Sequence, residues 1–399
     1  MEHIARVLGK HDNSGSREEM KILQVTSGYP PMLGGVENSV YQMVTRLRSM
    51  NHEVRVITAG VLASGLKDGV WRLPVALKIE RSWGDLLFCP SILNAMKKTP
   101  FELIHAHTPR KLFAESAALY KLLSRRKFPY IISIRLLNTS LTGFWRGLAN
   151  VYQKLVERNV FQHARYMIVQ TRFNKEFVIQ SFKIAPDKVH ILPNAIDTKV
   201  YDPDKIRTKE IRKKLRLEDR KVIFFSGRLT AQKGVLYLLR AIQSVIKKVP
   251  NVVLLMAGDG PQEQLLRRET GALGLKSHVV FLGEIKHEEM PELYSIADVF
   301  VLPSLSESFP NAMLEAMAMR NPMVITRVGV APEILENYRT AILVEPADPA
   351  GLASAIIELL TDKPLAEKLG SRARDLVRTK FTWERVVDQT LKLYEAALG

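Results

Sequence analysis

Short apolar runs alternate along this chain with longer stretches in which apolar residues recur at helical spacing. The first run, Lys21-Ile22-Leu23-Gln24-Val25-Thr26, predicts a strand. It leads through Tyr29-Pro30-Pro31-Met32-Leu33-Gly34-Gly35-Val36 into an amphipathic helix over 37–49. Asn51-His52-Glu53 turns into a second strand at 54–58, and further strands are expected at 103–107, 130–134 and 166–170, with helical patterns between them. Val189-His190-Ile191-Leu192-Pro193-Asn194-Ala195-Ile196-Asp197 reads as a closing strand and turn. A charged stretch at 199–220 reads as linker plus helix, after which the alternation restarts. Strands are expected at 222–226, 252–257, 279–282, 298–302 and 323–326. Helices are expected at 235–248, 261–271, 310–320 and 383–398, with a short turn of helix at 332–335. Strands alternating with helices predict an α/β fold with open, parallel, doubly wound sheets.

The restart divides the chain into a flexible leader at 1–19, a first domain at 20–198 and a second at 199–380. Each domain opens with a strand and a glycine-containing turn. In such sheets ligands sit outside the carboxyl ends of the strands, so two domains facing one another would form a cleft. The length of 399 residues fits two domains. No apolar stretch approaches the roughly 20 residues that span a bilayer. The first 20 residues are polar and of mixed charge, unlike a secretory signal. Cys89 is the single cysteine, so no disulfide forms within the chain, and a reducing cytosol is the expected setting.

Charge sharpens this picture. The formal net charge is +17, and it is uneven: residues 1–195 hold 28 Lys and Arg against 14 Asp and Glu, whereas residues 196–399 hold 30 against 27. A basic first half implies an anionic partner, whether membrane surface, nucleic acid or substrate. The basic segments Arg110-Lys111, Lys121, Arg125-Arg126-Lys127-Phe128 and Phe144-Trp145-Arg146, with Lys154 and Arg158, suit a membrane interface. They suit a solvated basic face with inward aromatics equally well.

The candidate chemistry gathers at predicted strand ends. Ser306-Glu307-Ser308-Phe309-Pro310-Asn311-Ala312-Met313-Leu314-Glu315 places one carboxylate in a strand-to-helix loop and another about one turn into the helix. Pro310 fits the first turn, where its missing N–H is harmless, and the unpaired N–H groups of that turn suit an anion or sugar hydroxyls. Ser226-Gly227-Arg228-Leu229-Thr230-Ala231-Gln232-Lys233-Gly234 puts a guanidinium and an ammonium near another strand end, where they can hold a departing diphosphate. Gly34-Gly35 allows close backbone approach to a phosphate, but it is not a G-x-G-x-x-G fingerprint. Ala257-Gly258-Asp259-Gly260-Pro261 is a further glycine turn, which turn chemistry alone explains well. His105 and His107 alternate on a strand and so share a face. They lack a carboxylate or thiol companion at metal-ligand spacing. A buried, satisfied histidine is the expectation for His105, and a ligand contact the expectation for His107. Asp202-Pro203-Asp204 has the D-x-D spacing of metal-dependent sugar transferases but falls in the charged linker, and it reads as linker.

Together these motifs resemble the group 1 (GT4) retaining glycosyltransferases of the GT-B fold, over essentially residues 20–399. The resemblance implies that Glu315 binds the ribose of a nucleotide-sugar and that Glu307 lies at the donor sugar ring. Backbone N–H groups at Phe309 to Ala312, the segment that includes Pro310 and Asn311, would hold sugar hydroxyls or phosphate, with Gly34, Gly35 and Gly258 beside them. Arg228 and Lys233 would neutralise the diphosphate, and His107 would approach the transferred sugar. It implies no metal and no other cofactor. The acceptor would attack on the face from which the phosphate departs, and that phosphate would take its proton. The final helix would pack back onto the first domain, which would bind the acceptor. Two positions depart from the family. Arg135 stands in Ser133-Ile134-Arg135-Leu136 where many relatives have a histidine, and Asn194-Ala195 stands where many have Asn-Gly.

The expected function is transfer of a hexose-type sugar to an anionic, lipid-linked or glycan acceptor at the cytoplasmic membrane face, with peripheral attachment through the basic half. The alternatives are a soluble sugar-phosphate transferase or a sugar-nucleotide epimerase of the same fold and, remotely, a basic nucleic-acid-binding protein, for which no motif is present.

Overall fold

The structure is a computed structural model that describes residues 18–31, 34–60, 64–79, 86–107, 112–135 and 156–399. The leader (apart from Glu18 and Glu19), Met32 and Leu33, Arg110-Lys111, Phe144-Trp145-Arg146 and Lys154 lie outside the described residues. The chain divides into two units, Met1–Pro193 with Glu384–Gly399, and Asn194–Trp383.

The first unit is built on β1 (Lys21–Val25), β2 (Glu53–Ala59), β3 (Gly65–Lys67), β4 (Val70–Leu73), β7 (Leu103–His107), β8 (Tyr130–Ile134), β9 (Tyr166–Val169) and β10 (Val189–Ile191). The sheet order is β10-β9-β8-β7-β1-β2-β4-β3, parallel throughout except for the β3–β4 pair. Every residue of β7 and β8 is buried, as expected of central parallel strands covered on both faces. This burial carries two histidines into the interior. The β3–β4 hairpin was not among the expected elements. It turns on Asp68-Gly69, both at positive φ, the geometry that favours Asp-Gly in two-residue hairpins. A separate hairpin joins β5 (Leu77–Ile79) to β6 (Leu86–Phe88).

The second unit holds β11 (Lys221–Ser226), β12 (Val252–Ala257), β13 (Val279–Gly283), β14 (Val299–Leu302), β15 (Met323–Thr326) and β16 (Ile342–Val344). All are parallel, in the order β13-β12-β11-β14-β15-β16, which is the 3-2-1-4-5-6 pattern of dinucleotide-type sheets. The strand order reverses between β11 and β14, so the loops leaving these two strands flank the crevice where such sheets take ligands. Helix Val235–Lys248 buries Val235, Leu238, Leu239, Ile242 and Val245, a continuous apolar stripe. The helices Pro349–Thr361 and Lys363–Lys380 were not expected. Each is capped by an aspartate whose carboxylate accepts first-turn N–H groups, Asp348 from Ala350 and Gly351, and Asp362 from Leu365. Helix Trp383–Leu398 lays Tyr394 against Gln24 of β1 and His105 of β7.

Candidate active site

In the second unit the loops after β11 and β14 are stitched edge to edge. The Leu305 N–H donates to the Gln232 carbonyl at 2.7 Å, and the Gln232 amide donates to the Ser306 carbonyl at 2.8 Å. Gly234 sits at φ +63°, and a Cβ there would lie 2.0 Å from the Pro303 carbonyl oxygen, so only glycine allows this approach. The approach brings Lys233 onto Glu307: Nζ and Oε1 are 2.5 Å apart, with side chains only 19% and 9% exposed. The buried Ser304 hydroxyl donates to the same Oε1 at 2.7 Å. Ser304 is itself fixed by the Thr326 hydroxyl at the end of β15, which donates to its carbonyl at 2.6 Å. Gly329 (φ +56°) closes the far side, with the Glu307 carbonyl oxygen 2.1 Å from where its Cβ would be.

Arg228 shares the β11 loop with Lys233, but its side chain is exposed and enters no ion pair among the described residues. The two cations therefore differ. Lys233 is already neutralised by a carboxylate, whereas Arg228 has its whole charge to offer an incoming anion.

The helix after β14 is Asn311–Ala318, and Pro310 is its N-cap with extended ψ of 124°, one position earlier than the first-turn placement expected. An extended proline cannot belong to the helix body, so the first helical N–H is that of Asn311. The N–H groups of Phe309, Asn311 and Ala312 have no acceptor among the described residues. Pro310, having no N–H, contributes none. The Asn194 amide donates to the Phe309 carbonyl at 2.9 Å and to Asn311 Oδ1 at 2.8 Å, holding the turn open. That role was not legible from Asn194 as part of the turn that closes the first domain.

Glu315 follows on the second turn, 9% exposed. The buried Tyr294 hydroxyl donates to its Oε2 at 2.8 Å. Burial raises its carboxyl above the usual carboxylate range, opposed by the Tyr294 hydrogen bond and the charge of His287. Gly258 (φ +126°) has a plainer role: a Cβ there would meet the Gly227 carbonyl oxygen at 2.2 Å, so the glycine serves the packing of its own turn. The carboxylates of Asp202-Pro203-Asp204 are taken up by Arg374 at 2.7 Å and Arg320 at 2.8 Å.

In the first unit Gly34 and Gly35 stand at the start of helix Gly35–Ser49, after β1, which neighbours β7 where the strand order reverses. Gly34 is extended at φ 164°, so conformation does not demand glycine. Nor does space: a Cβ there would meet only the Glu37 carboxylate, with Oε2 2.1 Å away, and that end of a flexible side chain can turn aside. His105 and His107 share a face as expected, with ring centroids 4.2 Å apart. Both are only 2% exposed. His105 is satisfied by Tyr394 at 2.5 Å and Ser133 at 2.7 Å. His107 Nε2 donates to Gln24 Oε1 at 2.6 Å, while its buried Nδ1 has no partner among the described residues. Burial, then the charge of Arg135, lowers His105 to about 3; burial, His105 and Arg135 hold His107 well below the usual imidazole range. Both rings are therefore neutral at pH 7.

Comparison with known proteins agrees with this geometry. Residues 33–200 match the model of Glycosyltransferase Family 4, and residues 207–376 match that of Glycosyl transferases group 1. An uncharacterized glycosyltransferase of Methanocaldococcus jannaschii is 29% identical over 95% of this chain and 99% of its own. The GDP-mannose-dependent alpha-(1-6)-phosphatidylinositol monomannoside mannosyltransferase of Mycobacterium tuberculosis is 26% identical over 91% and 95%. Among solved structures, Anabaena HepE in complex with UDP-glucose superposes with a TM-score of 0.77 at 19% identity, covering 95% of this chain and 100% of that one, which is a likeness of fold. Two adjoining family matches on two parallel α/β units place the chain among the group 1 (GT4) glycosyltransferases of the GT-B fold.

Proposed function

We propose that this glycosyltransferase takes a sugar from a nucleotide-diphosphate sugar held by the second unit and transfers it, with retention, to an anionic or lipid-linked acceptor bound by the first. The observation that carries the reading is the grouping of charges and donors around the β11–β14 strand ends. The exposed Arg228 guanidinium, the Lys233–Glu307 pair and the open N–H groups of Phe309, Asn311 and Ala312 all leave adjacent loops. In the reaction the bond from the anomeric carbon to phosphate breaks, and its electron pair stays on the diphosphate. Arg228 and the helix N–H groups stabilise that charge, with Lys233 contributing as Glu307 turns to a sugar hydroxyl. The acceptor oxygen bonds the same face of the anomeric carbon, and its proton passes to the departing phosphate. The buried carboxylate of Glu315 suits the ribose hydroxyls. His107 would meet the sugar through Nδ1, and Gly34 and Gly35 would contribute backbone N–H groups to the phosphate. The cations and N–H groups supply the charge stabilisation, so the scheme calls for no metal.

The acceptor reading draws on the basic first half and on the mycobacterial relative, whose name specifies a phosphatidylinositol-based acceptor. No helix among the described residues is long and apolar enough to cross a membrane. A peripheral seat on an anionic cytoplasmic leaflet fits both observations. Isothermal titration against UDP-, GDP- and ADP-sugars, followed by mass detection of product with lipid extracts, tests the reading. Binding of one donor and a product that partitions into organic solvent is expected. A folded protein that binds none of the three overturns it. A water-soluble product would favour the soluble sugar-phosphate transferase or the epimerase instead. Co-sedimentation with phosphatidylserine vesicles should weaken as salt rises, and its absence even at low salt removes the membrane seat.

A further inference from the structure

In the first unit the final helix reaches the sheet through one phenol. Gln24 of β1 lies in register with His105 of β7, and His107 of β7 with Ser133 of β8, so these four side chains share one face of the sheet. Tyr394 of helix Trp383–Leu398 meets that face, and all five residues are buried. Their hydrogen bonds form a single chain. The Gln24 amide nitrogen donates to the Tyr394 oxygen at 3.1 Å, while its Oε1 lies 2.6 Å from His107 Nε2. The Tyr394 oxygen lies 2.5 Å from His105 Nδ1, and His105 Nε2 lies 2.7 Å from Ser133 Oγ.

The protons follow from this order. An amide oxygen only accepts, so His107 Nε2 carries the hydrogen between them. Burial keeps both rings neutral, so each has one N–H and one bare nitrogen. Nδ1 of His107 is therefore bare. On the other arm, Tyr394 accepts from the Gln24 amide and keeps its own proton for His105 Nδ1, and His105 donates from Nε2 to Ser133. The phenol is a stronger acid than a neutral imidazole N–H, so here the better donor donates. Turning the amide round would reverse every bond and move the His107 proton to Nδ1.

The consequence lies at that nitrogen. His107 ends β7, the strand beside the reversal of strand order, and its buried Nδ1 has no partner among the described residues. A bare ring nitrogen accepts and cannot donate. It takes a hydroxyl, and it turns away an anionic phosphate oxygen, which brings no proton. We propose that Tyr394 and Gln24 are positioning residues that hold His107 in the tautomer with a bare Nδ1, and that this nitrogen accepts a hydrogen bond from one hydroxyl of the transferred sugar. The sugar contact rests on the nucleotide-sugar reading of this chain. The final helix then governs sugar choice without touching the sugar, because a sugar lacking that hydroxyl leaves Nδ1 buried and unpaired.

Two readouts test this. Proton–nitrogen correlation spectra of histidine-labelled protein separate bare from protonated ring nitrogens, and the His107 signals are those missing from His107→Gln. Wild type without ligand should show Nδ1 bare and Nε2 protonated; a protonated Nδ1 overturns the proposal. Tyr394→Phe removes the phenol proton and frees the amide to turn, so its His107 should populate both tautomers, and an unchanged signal overturns the positioning role. UDP-glucose, GDP-mannose and ADP-glucose are then titrated. Whichever binds is compared with its deoxyfluoro analogues, one sugar hydroxyl replaced at a time, since fluorine cannot donate. One analogue should bind wild type about tenfold more weakly than its parent, the scale of a lost hydrogen bond, and Tyr394→Phe should close that gap to less than about threefold. The absence of such an analogue, or a gap that Tyr394→Phe leaves intact, overturns the proposal while the donor reading stands. Wild type that binds none of the three overturns the donor reading and the sugar contact with it, and the spectra still decide the tautomer. Thermal midpoints show whether Tyr394→Phe folds; where it does not, the wild-type spectra and the wild-type analogue series are each able to overturn the proposal.

Discussion

The Lys233–Glu307 pair lends itself to a thermodynamic cycle. At 2.5 Å the gross attraction is about 7 kcal/mol with an effective dielectric near 20. Most of that offsets the desolvation of two groups that are 19% and 9% exposed. Lys233→Met leaves Glu307 buried with Ser304 as its remaining side-chain donor. Stranding one partner of a fully buried pair costs about 3–5 kcal/mol, and the partial exposure of Lys233 places this case near the lower end, at about 2–3 kcal/mol. Glu307→Gln strands the lysine to a similar degree. The double variant removes both charges and should recover about 1–3 kcal/mol relative to the sum of the singles. Hydrogen exchange at the amides of β11 and β14 reads the stability of this unit directly, free of the other. Nucleoside diphosphate affinity supplies an independent sign. Lys233→Met should lower it, whereas Glu307→Gln, by releasing an uncompensated cation, should hold or raise it. Additive singles, or equal losses of diphosphate affinity in both, would refute the idea that this pair is a charge reserve for the departing phosphate.

Three further outcomes are expected. Arg228→Ala should lower kcat about 10²-fold, near 3 kcal/mol of barrier, and leave stability within about 0.5 kcal/mol, because the side chain is exposed and enters no ion pair among the described residues; turnover within threefold of wild type removes its leaving-group role. Gly329→Ala should lower the thermal midpoint further than Gly274→Ala: both glycines have positive φ, at +56° and +71°, but only a Cβ at Gly329 strikes the Glu307 carbonyl, so equal shifts would mean that the contact is unimportant. His105 sits near pKa 3 in the fold against about 6.5 unfolded, so the unfolded chain takes up its proton first as pH falls. Its contribution to stability is complete above pH 6.5 and declines below it, by about 2 kcal/mol at pH 5, in urea melts that His105→Asn should flatten. Midpoints for wild type and variant that fall in parallel would exclude this histidine as the cause.

The sequence determined the elements and the ends at which chemistry collects. Runs such as Leu103–His107 and Val252–Ala257 are strands because parallel sheets bury both faces, and that composition survives any tertiary arrangement. The eight-residue spacing of Glu307 and Glu315 fixed a loop acid and a helix acid for the same local reason. Other local signals are present as well: Asp68-Gly69 just ahead of Val70-Trp71 marks a hairpin, and Asp348-Pro349 and Asp362-Lys363-Pro364 mark helix starts.

Only the tertiary structure decided who partners whom. Arg374 meets Asp202 across 172 residues, and Tyr394 meets Gln24 across 370, distances over which periodicity carries no information. The same holds for the pairing of Lys233 with Glu307, which the family resemblance assigns separately to a phosphate and a sugar ring. Their loops leave adjacent strands because the strand order reverses between β11 and β14. A spacing along the chain says what a residue is able to do, but charge and burial depend on what the fold brings within a few ångströms, and that is set by sheet order.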